Sequence, residues 1–484
     1  MPGISPPPVS PQPDPQPLFW PAGARKRRIG PVPDKGTGKV RRLWGPETEK
    51  AKKNFNYSPC HVSDKGLHIR ACASVKKACA LANIDAGALS QERADAIIRA
   101  CDELIRGEHA DQFPLDVIQG GAGTSTNMNV NEVIASLAES FLPEGAGPVH
   151  PNDQVNLSQS TNDTYPTAVK LSLLWESEDL ISSLTDLKRE YLAKAEAHKA
   201  DLKPGRTQLM NAVEMTFGME FGAVATRIDE LIGRLQEARG HLLTINLGGT
   251  AIGTGANTPG PGYGSKATAH LRDITGMDFK VAGDLVAATS DMQPFVDLAN
   301  ATDAIAIGMG TFSNDLRLLN SGPNGFGEYI LAKRQNGSSI MPGKVNPVIP
   351  EGVNSACFRT RGLSEAVRLA AGATQLQLNA FEPMMYDALS EGIHLLSRAA
   401  RQLGELAIRD LTVNRDSAKK AVLGSPSMAT HLVGEVGYDQ AAEIARESRR
   451  SGRPVAEVAR GMGLNVDHLL TEEALLRGLG IIRA

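Results

Sequence analysis

Long stretches of this chain repeat apolar residues at helical spacing. From Gln91 to Arg106, the side chains of Ile97, Ile98, Cys101, Leu104 and Ile105 fall on one face, and Gly107 supplies a stop. From Thr167 to Leu202 the chain runs 36 residues without glycine or proline, which as a helix would measure roughly 54 Å. Asn162 or Asp163 stands where a cap is needed, and Pro166 suits a first turn. Further helical patterns cover about 212–246 and 294–320. Another runs from 348 to 406, where Gly362, Gly372 and Pro383 predict kinks.

Helices of this length draw most of their stability from packing an apolar face. Small residues such as Ala299, Ala301, Ala304, Ala306, Gly308 and Gly310 let neighbouring backbones approach closely. The pattern therefore predicts a mainly α protein in three domains, with a central bundle of long helices shared between subunits. The expected divisions are a proline-rich, basic arm over 1–43, an N-terminal mostly helical domain over 44–157, the central bundle over 158–408 and a small C-terminal helical domain over 409–484.

The first 21 residues hold nine prolines, so the arm is expected to be extended and disordered. Arg25, Lys26, Arg27 and Arg28 come next. A proline-recognition module or an acidic partner would fit this arm, though a solvated tail is the simpler reading. The sequence names no partner for it. A net charge of −3 over 484 residues asks for neither nucleic acid nor an anionic membrane. No apolar run approaches the ~20 residues of a membrane span, and the N-terminus has no apolar signal core. The cysteines, Cys60, Cys72, Cys79, Cys101 and Cys357, form no CxxC pair and no metal-finger spacing. Reduced thiols in a cytoplasmic protein are the expectation.

Four stretches rich in hydroxyls and amides interrupt the helices: GGAGTSTNMNVNE (120–132), HPNDQVNLSQSTND (150–163), KPGRTQLMNA (203–212) and GSSIMPGKVNP (337–347). Singly, each is explained by helix caps and surface polarity. Together they offer many neutral donors and one lysine, with no paired acids and no metal cluster. That inventory suits a small ligand bearing carboxylates, held by hydroxyls, amides and helix N-termini, with no cofactor and no metal. The glycine-rich LGGTAIGTGANTPGPGYG (247–264) follows a helical pattern instead of a strand and lacks a terminal GK[ST], so it is not read as a nucleotide loop.

GSSIMPGKVNP resembles the signature loop of the aspartase/fumarase superfamily, and the other three stretches match its motifs in order and spacing. The resemblance runs from about Trp44 into the C-terminal region. Thr161 in QSTND, the GAGTS and GRTQ segments, and Glu382 in QLQLNAFEP resemble the ammonia-lyase branch, whereas HPND and GYDQAAEIA look more like class II fumarase. Asn324, Ala332 and Lys333 depart from the usual pattern beside the last loop.

The resemblance implies an anti elimination from a substituted succinate to fumarate through an aci-carboxylate. Ser338 would be the base, on a loop that Gly337, Pro342 and Gly343 let swing as a lid. Thr124, Ser160, Thr161 and Ser339 would hold the carboxylate that becomes the aci form. Lys344, Asn346 and Thr207 would anchor the other carboxylate, while Asn162 and Gln208 would meet the leaving amino group or its neighbouring carboxylate. Glu351 would orient Gln208 or Lys344. The resemblance also implies a homotetramer in which three subunits build each site. A class II fumarase, a carbon–nitrogen lyase acting on an N-substituted aspartate, and an idle scaffold are the alternative readings.

Overall fold

The computed structural model describes residues 42–322 and 324–483. The proline-rich arm and its basic run fall outside the described residues, and the fold is that of the chain from Leu43 onward. No helix among the described residues is long and apolar enough to cross a membrane.

Four helices come first: α1 (Pro46–Asn54), α2 (Gly66–Asp85), α3 (Gln91–Ile105) and α4 (Thr124–Glu139). The Glu132 carboxylate of α4 accepts from the amides of Gly45, Glu47 and Thr48 and from the Thr48 hydroxyl. It thereby satisfies N-terminal donors that α1 cannot satisfy itself.

The long elements come next. Helix α5 (Thr161–Ala197) leads into a hairpin, β1 (Leu202–Thr207) with β2 (Met210–Thr216), and α6 (Phe217–Leu242) runs back. After β3 (Thr244–Ile245), α7 (Tyr263–Thr275), β4 (Lys280–Val281) and α8 (Leu285–Ser290), helix α9 (Gln293–Leu319) runs out again. Strand β5 (Tyr329–Ile330) and the 337–347 loop precede α10 (Val348–Ala371), and α11 (Glu382–Gln402) completes the bundle. The remainder is β6 (Thr412–Val413), α12 (Arg415–Leu423), α13 (Val433–Val436), α14 (Tyr438–Ser451), α15 (Val455–Gly461) and α16 (Glu472–Gly478). Strands β3 and β4 pair in parallel, and β5 pairs antiparallel with β6.

Hydrogen bonds fix which loops share an end of the bundle. The Asn246 side chain reaches the Asn162 carbonyl at 2.9 Å and Thr289 at 3.1 Å, so the chain after α6 and the approach to α9 meet the start of α5. At the opposite end, buried Lys203 of β1 pairs with Glu220 of α6 and with Glu328, just before β5. One apolar core spans these helices, and Gly308 shows how tightly: a Cβ there would lie 2.7 Å from Leu231 Cδ1. A second core gathers Leu432, Ile444, Val455, Val458 and Leu475 with Leu202 from the hairpin.

Several boundaries differ from the sequence expectation. Helix α5 begins at Thr161, and Ser160 is its cap, not Asn162 or Asp163. The Ser160 hydroxyl accepts from the Asn162 amide, and the Asp163 carboxylate accepts from the Ser160 amide, a reciprocal capping box. Pro166 therefore sits beyond the first turn. A proline cannot donate to the carbonyl four residues back. That carbonyl belongs to Asn162, and the Asn246 side chain serves it instead. The helix expected over 212–246 starts only at Phe217, capped by Thr216, because 203–212 is no loop but most of the β1–β2 hairpin. Its turn residues, Gln208 (φ 53°) and Leu209 (φ 66°), adopt the left-handed conformation without being glycine. The 348–406 pattern divides at 372–381, while Gly362 interrupts nothing.

Asn246→Leu is expected to leave the Asn162 carbonyl without a donor and to cost about 1–3 kcal/mol, read as a lowered urea midpoint. An unchanged midpoint would show that the bond contributes nothing.

Candidate active site

The sequence-predicted residues fall into two groups. The first lies where the N-termini of α4 and α5 converge. Gly121 (φ 86°) and Gly123 (φ 85°) turn the chain into α4, where a Cβ on Gly123 would lie 2.5 Å from the ring of Tyr165. Thr124 opens α4 and donates its hydroxyl to the Gly121 carbonyl at 2.7 Å. Ser160, Thr161 and Asn162 open α5, and Asn127 of α4 donates to the Thr161 hydroxyl oxygen at 3.3 Å. Two sets of helix N-terminal amides thus lie close together, which favours an anion.

Asn162 donates its Nδ2 to the Ala251 carbonyl at 2.7 Å. Its Oδ1 is left as the acceptor for a ligand, which suits an ammonium group.

The glycine-rich stretch has its purpose at this end. The Asp163 carboxylate is fully buried and accepts from the amides of Gly248 and Thr250, each at 3.0 Å, as well as from Ser160. Burial pushes Asp163 up to about 6, against the pull of these amides and of Lys76. A Cβ on Gly248 would lie 2.4 Å from Gly264 Cα, so the glycines permit a backbone clamp around the start of α5.

The second group lies at the other end of the bundle. Thr207 and Gln208 occupy the exposed hairpin tip, whose base is held by the Lys203–Glu328–Arg206 cluster. Ser338, Ser339, Lys344 and Asn346 lie in the irregular loop before α10. The Ser338 Oγ accepts from the amides of Ile340 at 3.2 Å and Met341 at 3.0 Å, and the exposed Lys344 lies on the same loop. Such donors stabilise negative charge on that oxygen. Asn346 donates to the Gly337 carbonyl at 2.7 Å and Gly337 donates to that of Lys344 at 2.9 Å, closing the base of the loop. A Cβ on Gly337 would sit 2.4 Å from that Lys344 oxygen, so only glycine fits. Glu351 lies in the first turn of α10, half-buried.

One chain does not bring the two groups together. The Ala122 amide reaches the Ala380 carbonyl at 3.3 Å, placing the Thr124 loop beside the turn that follows α10. The Ser338 loop precedes α10, a helix of 24 residues, and the separation is therefore roughly 36 Å. Sequence reasoning missed Lys76, Asn127, Asn156 and Asn246, which buttress the first group. Among the described residues, the one cluster with metal-ligand character, Glu103, Glu108 and His109, lies at the end of α3, where His109 already pairs with Glu103 at 2.8 Å. A groove of about 650 Å³ between the hairpin tip and α14 is lined by Leu209, Ser427, Tyr438 and Arg449 and contains none of the predicted residues.

The two groups hold donors suited to anions at opposite ends of the bundle, and comparison with known proteins gives the family. Residues 35–362 match the family described as lyase, and the chain belongs to it. An aspartate ammonia-lyase of Pseudomonas canavaninivorans is 45% identical over 434 residues, 89% of this chain and 91% of that protein. Among solved structures, the fumarate lyase:delta crystallin of Brucella melitensis bound to cobalt superposes with a TM-score of 0.87 at 43% identity, covering 90% of this chain and 95% of that one. The class II fumarase of Schistosoma mansoni gives a TM-score of 0.85 at 30% identity, with coverage of 90% and 95%.

Beneath the first group, Glu382 at the start of α11 is 1% exposed, and neither carboxylate oxygen has a hydrogen-bond partner. Burial pushes it up to about 8, offset in part by attraction to Lys170. A carboxyl raised in the folded state binds protons more tightly there, so its contribution to stability is full below the usual carboxylate range and is lost as pH rises through about 8. Glu382→Gln keeps a neutral isostere. The gap in melting temperature, variant minus wild type, is expected to widen by several degrees between pH 5 and 8.5; a constant gap would place the titration elsewhere.

Proposed function

We propose that the protein is an aspartate ammonia-lyase, converting L-aspartate to fumarate and ammonia by anti elimination. The observation that carries this reading is the Ser338 oxygen, held by two loop amides on a segment that also presents Lys344. A serine serves as a carbon base only where its alkoxide is stabilised, and this loop supplies donors for that.

In the reaction, Ser338 removes the C3 proton. The electrons move into the adjacent carboxylate, which becomes the doubly charged aci form. Thr124, Ser160, Thr161 and Ser339, with the amides at the starts of α4 and α5, hold that charge; each positioned donor contributes roughly 2.7–4 kcal/mol. Thr124 must rotate its hydroxyl away from Gly121 to take part. Lys344, Asn346 and Thr207 anchor the other carboxylate. Asn162, through its free Oδ1, and Gln208 receive the ammonium group, which then leaves from C2. Glu351 orients Gln208 or Lys344.

The separation of the two groups within a chain supports sites assembled from several copies, read as a homotetramer with three subunits contributing to each site. Apolar side chains left on the outside of the bundle fit the same reading: Ile307 and Leu318 on α9, and Phe358 and Leu369 on α10, the last two 65% and 69% exposed. The cytoplasm is the proposed compartment.

The test is fumarate formation, followed by absorbance, from L-aspartate and separately from L-malate. Product from aspartate alone is expected; product from malate alone would make the protein a fumarase. Ser338→Ala is expected to cut turnover by roughly 10²- to 10⁴-fold while fumarate still binds. Near-normal turnover would move the base to another residue.

A further inference from the structure

Lys76 is a buried cation that the proposed reaction does not use. It lies in α2, 2% exposed, in a wall otherwise made of Val75, Ala78 and Cys79. An ammonium group has three donors and no acceptor. Its partners must therefore turn oxygens toward it, and they do: Asn156 Oδ1 at 2.8 Å and Gln159 Oε1 at 2.9 Å.

That choice propagates. The two ends of an amide are nearly alike in shape, so its orientation is set by the bonds around it. With Asn156 Oδ1 fixed toward Lys76, the same oxygen also accepts from Asn127 Nδ2 at 3.1 Å and from Asn131 Nδ2 at 3.2 Å. Asn127 must consequently present its NH2 end, and the same Nδ2 donates to the Thr161 Oγ1 at 3.3 Å. Thr161 is thus an acceptor from the protein side. Among the described residues no acceptor takes its hydroxyl hydrogen, although Thr161 is only 9% exposed. The hydrogen is left for a ligand at the convergence of α4 and α5.

We infer that Lys76, Asn156 and Asn127 are positioning residues that fix the Thr161 hydroxyl as a donor to a substrate carboxylate. The chain works as a one-way relay of hydrogen-bond polarity: Lys76, which can only donate, and the Gln159 carbonyl, which can only accept, together orient Asn156, and the group at the open end is left to donate. Backbone carbonyls hold the same orientation from the far side: Asn156 Nδ2 donates to the Gln159 carbonyl at 3.2 Å, and Gln159 Nε2 donates to those of Val155 at 3.0 Å and Leu157 at 3.1 Å. The inference rests on Thr161 contacting substrate, and it concerns binding, whatever leaves the neighbouring carbon.

The experiment is a double-mutant cycle on the full chain, read as the Kd for succinate by calorimetry. Succinate carries both carboxylates and has nothing to eliminate. Asn127→Leu and Thr161→Val are each expected to weaken succinate roughly tenfold, in line with one lost bond to a charged group. In the Thr161→Val background, Asn127→Leu should add less than about twofold, because the relay then ends on a methyl group. In the Thr161→Ser background it should again cost roughly tenfold, since the hydroxyl is restored. Lys76→Met, which removes one of the two holds on Asn156, should weaken succinate no more than Asn127→Leu does; if it fails to fold, the Asn127 cycle carries the test alone.

Additive losses in the Thr161→Val background would overturn the inference and leave these residues as structural packing. So would Thr161→Val with unchanged affinity, or a wild-type chain that takes no succinate. A wild-type chain that binds succinate with the expected cycle yet makes no fumarate from L-aspartate would sink the proposed reaction and leave the relay standing.

Discussion

The rise of an α-helix is the constraint on which the rest of this molecule depends. Helices of 24 to 37 residues run back and forth along one another, so every connection lies at one end of the bundle or the other. Two ends then carry two kinds of equipment. One holds convergent helix N-termini and fixed donors, and the other holds a hydroxyl on a short irregular loop beside a lysine. No adjustment of side chains brings these within reach of each other in a single chain. Close packing, as between Gly308 and Leu231, makes the spacing rigid as well as long.

Rigidity is most visible where the starts of α4 and α5 converge. Asp163 ties the backbone at 248 and 250 to the start of α5, Asn246 serves the carbonyl orphaned by Pro166, and Asn127 bridges α4 to α5. Each of these bonds crosses from one element to another, and together they leave the first turn of α5 little freedom. Ser338 stands in contrast, in an exposed loop held mainly at its base by Gly337 and Asn346. On the proposed reading, binding needs fixed donors whereas delivery of a base needs a segment that moves, and the two demands would be met at opposite ends.

How much of this was legible in the sequence depends on distance along the chain. The long helices were readable because their apolar spacing runs for dozens of residues without glycine or proline. The four polar stretches were readable from composition, and the 337–347 segment is the irregular loop expected. The β1–β2 hairpin was hidden because Gln208 and Leu209 take left-handed turn conformations with no glycine to announce it. The true cap of α5 was hidden by Pro166, which looks like a first-turn residue until its missing donor is replaced by Asn246, eighty positions further on. Lys76 reads as an ordinary surface lysine beside Lys77, because its partners Asn156 and Gln159 are also remote in the chain. Local pattern reveals local structure; the buried polar contacts that orient the first group are long-range.

The division of the site also bears on how catalyst relates to protein. On the proposed reading, a chain whose two groups lie roughly 36 Å apart has no activity of its own to lose. Competent sites would then appear only as copies meet, and their number would follow a power of the chain concentration greater than one until assembly saturates. Below that point, halving the amount of protein removes more than half of the catalysis. Expression level then acts as a threshold, and a weakened contact on the outside of α9 or α10 would read as lost turnover even where every reacting group is intact.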